Sequence, residues 1–311
     1  MKDSLKKGLI IGAAGSAICV LWHHLLTKKM MQLAMDRVAP QDRSNGKMRV
    51  SGSPEMIETT EIVKKAAGQL EKSGCDVVEI TAHDGISLIG HWCPCEEPKR
   101  TIVAMHGWRS SWSHDFGLIA DFWRNNHCSV LYAEQRGQNN SGGDHMSLGL
   151  LERYDCLAWT NWINEKTGKS IPIYLAGVSM GATSVLMASE LELPDNVFGI
   201  AADSAFTSLH AIWKHVSDRM CKKRIQMDAD AASTTEALKH CQIPVLFVHG
   251  TDDHFVPVEM TYENYKACTS EKRLLIVPGA DHCMSYLVGK STYERIAKEF
   301  WEFCEQRKKN P

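Results

Sequence analysis

The stretch Ile173-Tyr174-Leu175-Ala176-Gly177-Val178-Ser179-Met180-Gly181-Ala182 decides the reading of this chain. An apolar, β-branched run meets Gly-x-Ser-x-Gly and passes into a helical run from Thr183 to Glu190. A strand turning sharply into a helix leaves the serine at a strained apex, its hydroxyl raised above the carboxyl edge of a sheet. Gly177 and Gly181 suit that turn, because a side chain at either would collide with a neighbouring strand or helix. Ser179 would also stand at a helix N-terminus, where unpaired N–H groups favour developing negative charge. A surface serine in a Gly-rich turn is the plainer alternative; the strand–turn–helix context argues against it.

Around this stretch, strand-like and helix-like runs alternate. Strands are expected at Thr101–Met105, Cys128–Ala133, Ile171–Ala176, Val197–Ala202, Val245–His249 and Leu274–Val277. Helices are expected at Ser113–Asn125, Leu150–Lys166, Met180–Leu191, Val258–Cys268 and Tyr293–Arg307. Such alternation implies βαβ units in a mostly parallel, doubly wound α/β sheet. Val77–Thr81 and Ile86–Trp92, joined through Asp84-Gly85, read as an antiparallel hairpin at one sheet edge. Glu55 to Lys72 has apolar residues at helical spacing and reads as an amphipathic helix on the core.

A serine hydroxyl needs a base within reach, and the base needs an orienting acid. After Ser179, two apolar runs end in suitable loops. One is Val245–His249 followed by Gly250-Thr251-Asp252-Asp253-His254-Phe255-Val256-Pro257; the other is Leu274–Pro278 followed by Gly279-Ala280-Asp281-His282. On these residues the chain resembles the α/β-hydrolase superfamily, specifically bacterial serine hydrolases with a membrane-anchor-like N-terminus. The resemblance covers about Cys75 to Arg307. It implies an α/β-hydrolase fold with a short helical lid at about residues 208–240. Its His-Gly-x-x-Asp-x-x-Val-Pro pattern, laid on His249 to Pro257, selects Asp253 as the acid, with Asp252 the local rival. Its Gly-x-x-His-like turn selects His282 as the base. It further implies that the backbone N–H groups of Trp108 and Met180 receive the oxyanion; His106 is a rival base, read as structural. The Glu134-Gln135-Arg136-Gly137 loop departs from the related pattern, and Arg136 is read as holding loops together. Trp112 and Trp213 are candidates for an apolar acyl pocket.

These readings predict a serine hydrolase cleaving carboxylic esters or related acyl bonds, with no metal or organic cofactor and a small acyl ester as substrate. A peptidase or acyltransferase with the same three residues is the alternative, and a catalytically silent scaffold of the same fold is the rival from another class. A net charge of −2 with no basic stripe points away from nucleic acid. Hydrophobic content of 44% and charged content of 23% are those of a globular chain. The eleven cysteines are scattered, with no zinc-like spacing, and read as free thiols. Cys93-Pro94-Cys95 is the one close pair in sequence. At the N-terminus, residues 8–26 carry no formal charge besides their histidines and lie between lysines. They read as a signal anchor, hence membrane association with the side undecided; a packed helix on a cytoplasmic protein and a cleaved signal peptide are the alternatives. Residues 31–74 are read as linker plus helix, and 75–311 as the hydrolase domain.

Overall fold

A computed structural model describes residues 54–208 and 232–309, together with 32–37 and the single residues Trp22, Leu25, Lys29 and Ala211. The chain runs α1 (Pro54–Glu71), β1 (Asp76–Thr81), β2 (Ser87–Cys93), β3 (Arg100–Met105), α2 (Trp112–Asn125) and β4 (Cys128–Ala133). It continues α3 (Glu152–Thr167), β5 (Ile173–Val178), α4 (Met180–Ala188), β6 (Val197–Asp203), α5 (Thr234–His240) and β7 (Val245–Gly250). It closes with α6 (Val258–Ala267), β8 (Lys272–Val277), α7 (Ser285–Val288) and α8 (Lys290–Lys309).

The eight strands form one sheet in the order β1-β2-β4-β3-β5-β6-β7-β8. The β1–β2 hairpin is antiparallel and forms one edge, and β2 also pairs antiparallel with β4. Every pairing from β4 to β8 is parallel. This is the mostly parallel sheet expected from the alternation of strands and helices, in the α/β-hydrolase arrangement that the resemblance implied.

The central strands β3 and β4 are buried along their whole length because both faces are covered. Along β3, Val103 and Met105 point to one core with Trp159, Ile163 and Leu186. Ile102 and Ala104 point to the other, with Phe116, Ile119 and Phe300. The alternation repeats in β5, where Leu175 and Tyr174 face opposite cores. The exposed edge strand β1 shows the polar alternation instead, with Asp76, Val77, Glu79 and Thr81 exposed.

Cys75 and Cys93 are joined in a disulfide, with Cα atoms 4.4 Å apart, so the cysteines are not all free thiols. The partner of Cys93 is set by strand register, not sequence proximity: Asp76 faces Trp92, which carries Cys75 to the position opposite Cys93. The end of the expected lid is the core helix α5, whose Ala237 and Leu238 are fully buried. Most of the remaining lid stretch, Trp213 with it, lies outside the described residues. The expected anchor, residues 8–26, also lies outside them save Trp22 and Leu25, which are exposed. Among the described residues no helix is long and apolar enough to cross a membrane.

Candidate active site

The chain leaves β3 towards β4 on one side and enters β5 on the other, so the carboxyl ends of β3 and β5 meet at a switch of direction. A crevice forms at such a point because consecutive connections diverge there. Ser179 follows β5, Asp253 follows β7, His282 follows β8, and His106-Gly107-Trp108 follows β3.

Ser179 has φ 54° and ψ −118°, a left-handed conformation rarely adopted by a residue with a side chain. Its N–H donates to the carbonyl of Asp203 at 2.8 Å, and its carbonyl accepts from Thr183 N at 2.9 Å. These bonds and the packing behind them hold the strain. A Cβ on Gly181 would stand 1.8 Å from the carbonyl oxygen of Met105, and one on Gly177 would stand 2.3 Å from that of Gly181. Strand end, elbow and helix start are therefore in backbone contact, which only glycine at both positions permits.

His282 reaches back across 103 residues, with Nε2 2.9 Å from Ser179 Oγ. Its Nδ1 lies 2.7 Å from Asp253 Oδ2. A carboxylate only accepts, so Nδ1 carries the proton and Nε2 is left as the acceptor for the serine hydroxyl. Asp253 Oδ1 takes the amides of Phe255 and Val256 at 2.9 and 2.8 Å. His249 Nε2 lies 3.1 Å from Asp253 Oδ2 on the other side. Burial works to raise the Asp253 pKa, but hydrogen bonds from His249 and His282 outweigh it and hold the carboxyl well below its usual 3.8. Asp252, the rival acid, is exposed and accepts a bond from the Thr251 hydroxyl.

The depressed pKa has a consequence for stability. The ionised form of Asp253 is the one that the fold favours, so its contribution is complete above about pH 4 and is lost as pH falls towards the folded value. In urea titrations between pH 6 and 3, Asp253→Asn is expected to lose stability less steeply than the parent below pH 4. The difference in slope should approach one proton, about 1.4 kcal/mol per pH unit. Parallel slopes would show that this carboxyl is not held ionised by the fold.

The loop after β3 carries the expected oxyanion donor. A Cβ on Gly107 would lie 3.3 Å from Ser179 Cβ, so this backbone passes directly beside the serine. Gly107 N–H donates to Asp115 Oδ2 at 2.7 Å, and the Ser110 hydroxyl bonds the other carboxylate oxygen. Burial tends to raise the Asp115 pKa, yet contacts with His114 and Ser110 bring it below the usual value. Met180 opens α4, and the first amides of a helix have no acceptor within it. The Trp108 ring stacks over Phe255 at 6.3 Å between centroids, and Phe255 packs against the His282 ring at 5.0 Å.

The other candidates fall into place by their partners. His106 is fully buried; its Nδ1 lies 2.8 Å from Gly107 O, and its Nε2 accepts from Gln135 N at 3.1 Å, which fixes a neutral tautomer. Arg136 is buried and joins Asp155 to Asp84, with Nε 2.6 Å from Asp155 Oδ2 and NH1 2.7 Å from Asp84 Oδ2. It ties the loop after β4 to α3 and to the hairpin turn. Trp112 is not brought to the site. It stacks on His91 at 4.0 Å in the core with Tyr132 and Phe116, away from Trp108 and Met180. It opens α2 and is buried there.

Two supporting residues escaped the sequence reading. His249 belongs to the motif quoted for the acid, but nothing in its residue type showed that it backs Asp253 from the far side. Asp115 could have been noticed as an acid in the first turn of a helix just past His-Gly, but its acceptor role towards Gly107 depends on loop geometry. Among the described residues, no cluster of histidines, cysteines and carboxylates is arranged to hold a metal ion.

The chain is 28% identical over 251 residues to the uncharacterized protein YqkD of Bacillus subtilis, covering 75% of this chain and 80% of that one. It is 24% identical over 211 residues to the uncharacterized protein YfhR of Escherichia coli K12, covering 66% and 72%. Among solved structures, the Pyrococcus furiosus esterase Pf2001 superposes with a TM-score of 0.62 at 22% identity, over 74% of this chain and 92% of that one. Est1E of Butyrivibrio proteoclasticus, solved with ferulic acid bound, superposes at 0.54 and 20% identity, over 71% and 99%. These structures share the fold. Residues 114–310, well over half of the chain, match the prolyl oligopeptidase family. The chain belongs to that family and is a serine hydrolase of the α/β-hydrolase superfamily.

Proposed function

We propose that this protein hydrolyses carboxylic esters through Ser179, His282 and Asp253. The observation that carries the reading is the contiguous relay from Ser179 Oγ through His282 to Asp253, with contacts of 2.9 and 2.7 Å. In the proposed reaction, Ser179 Oγ attacks the carbonyl carbon while His282 Nε2 takes its proton. Asp253 keeps the imidazole oriented and stabilises it as imidazolium. The backbone N–H groups of Trp108 and Met180 receive the charge on the carbonyl oxygen. His282 then protonates the leaving alkoxide. A water that gives its proton to His282 attacks the acyl-enzyme and releases the acid.

The same machinery opens an amide, and the family's name makes a peptidase the second reading. The ester reading is preferred because the cluster beside the serine, with Met180, Met187, Phe206 and Leu148, is apolar and suits an acyl chain more than a peptide backbone. Two solved neighbours of the same fold are described as an esterase and as a protein binding ferulic acid, which agrees with this choice. Parallel assays on p-nitrophenyl butanoate and on a panel of peptide p-nitroanilides decide between them. Turnover of the ester with labelling of Ser179 by a fluorophosphonate probe is expected. Turnover of the anilides alone would replace the ester reading with the peptidase one, and an unlabelled Ser179 would remove both.

A further inference from the structure

We propose that residues 32–37 form one wall of the acyl pocket and that Met35 sets the length of acyl chain the site accepts. The proposal deepens the ester reading and rests on it. Ala34 and Met35 are 3% and 0% exposed, although they lie far in sequence from the sheet. They are buried in a cluster with Met180, Met187, Phe206 and Leu148. The cluster is built from residues that follow the carboxyl ends of β4, β5 and β6, on the same side of the sheet as Ser179. Met180 adjoins Ser179, and Trp108 packs against the cluster. Met35 therefore shares its apolar surroundings with Trp108 and Met180, the two residues proposed to supply the oxyanion amides.

The segment is fastened to the site by polar contacts rather than resting on it. Trp108 Nε1 donates to Ala34 O at 2.7 Å. The Arg109 guanidinium bonds the carbonyls of Leu33 at 2.5 Å and Asp36 at 3.2 Å, closing off the carboxyl end of this helical turn as a cation does. Arg37 NH1 donates to Ser141 O and Gly143 O at 2.5 and 2.9 Å, and its NH2 to Asn139 O at 2.9 Å. Met146 N completes the join by donating to Met35 O at 2.8 Å. Trp108 and Arg109 belong to the loop that runs beside Ser179, so segment and oxyanion loop are held as one unit. A methionine in such a wall has three rotatable bonds and a thioether, which lets it close the far end of an apolar pocket around an unbranched chain.

The test uses the full chain and p-nitrophenyl esters from acetyl to dodecanoyl. Met35→Ala is expected to raise the ratio of kcat/KM for the decanoyl over the butanoyl ester by about tenfold or more, the discrimination that one methylene commands in an apolar pocket. Met35→Leu, which conserves volume, should leave that ratio within about threefold of the parent. A folded Met35→Ala that changes every ester equally overturns the proposal. If Met35→Ala fails to fold, Arg109→Ala decides: it removes the cap and leaves the apolar wall residues unaltered, and it should move the ratio in the same direction. An unmoved ratio in folded Arg109→Ala overturns the proposal as well. Fluorophosphonate labelling separates the two failures. An unlabelled parent Ser179 defeats the ester reading, whereas a labelled Ser179 with an unmoved ratio defeats only the pocket wall.

Discussion

Replacing Ser179 by alanine is expected to lower kcat on p-nitrophenyl butanoate by about 10,000- to 1,000,000-fold, with the fold intact. The change removes one oxygen atom and no packing. The residue is 4% exposed, and the backbone bonds from Ser179 N to Asp203 O and from Thr183 N to Ser179 O persist. His282→Ala should bring a loss of the same order, because without an acceptor 2.9 Å from Oγ the hydroxyl remains a poor nucleophile. The double variant should be no slower than the worse single one, since groups that act as a unit are not additive. Steady-state rates alongside thermal unfolding would check this. Multiplying losses would mean that the two side chains act independently, and the relay would have to be abandoned.

Gly181→Ala is expected to cost about 4 kcal/mol or more, an exceptional value for the addition of one methyl group. Its Cβ would meet Met105 O at 1.8 Å, Met105 C at 2.5 Å and His106 O at 2.7 Å. These are backbone atoms at the end of β3, which is paired on both sides by β4 and β5. Neither partner can yield without breaking a parallel ladder, and the loop that would be pushed is the one passing Ser179. A loss of that size removes a large part of the 5–15 kcal/mol that holds a typical domain together, roughly the whole margin of a weak one. Gly68→Ala is the control. No atom lies within 4 Å of its added Cβ, and it sits inside α1, so a gain of about 0.5–1 kcal/mol is expected. Urea denaturation of both variants would show the contrast, and a Gly181→Ala protein within 1 kcal/mol of the parent would contradict the close approach at the elbow.

Much of the site was legible because it is carried by local pattern. The elbow needs a strand, two glycines and a helix within ten consecutive residues, and each leaves a compositional trace between Ile173 and Ala182. The loops bearing Asp253 and His282 each follow an apolar run, so their position at the sheet edge could be inferred from the βαβ order alone. Local pattern failed where long-range pairing decides. The Cys75–Cys93 disulfide depends on the register of a hairpin. Trp112, a candidate for the pocket as a large apolar residue, stacks instead on His91 in the core. Ala34 and Met35 stand within the stretch read as linker, and nothing in their types signals burial over the strand ends.

The amino-acid order determined the architecture and the three chemical groups, because hydrophobic period, glycine placement and the sequence of post-strand loops are local properties of the chain. The tertiary structure decided which of two adjacent aspartates faces His282, what supports it from behind, and what surrounds Ser179. Those choices are made by distances between residues tens to hundreds of positions apart, which packing sets and composition does not encode.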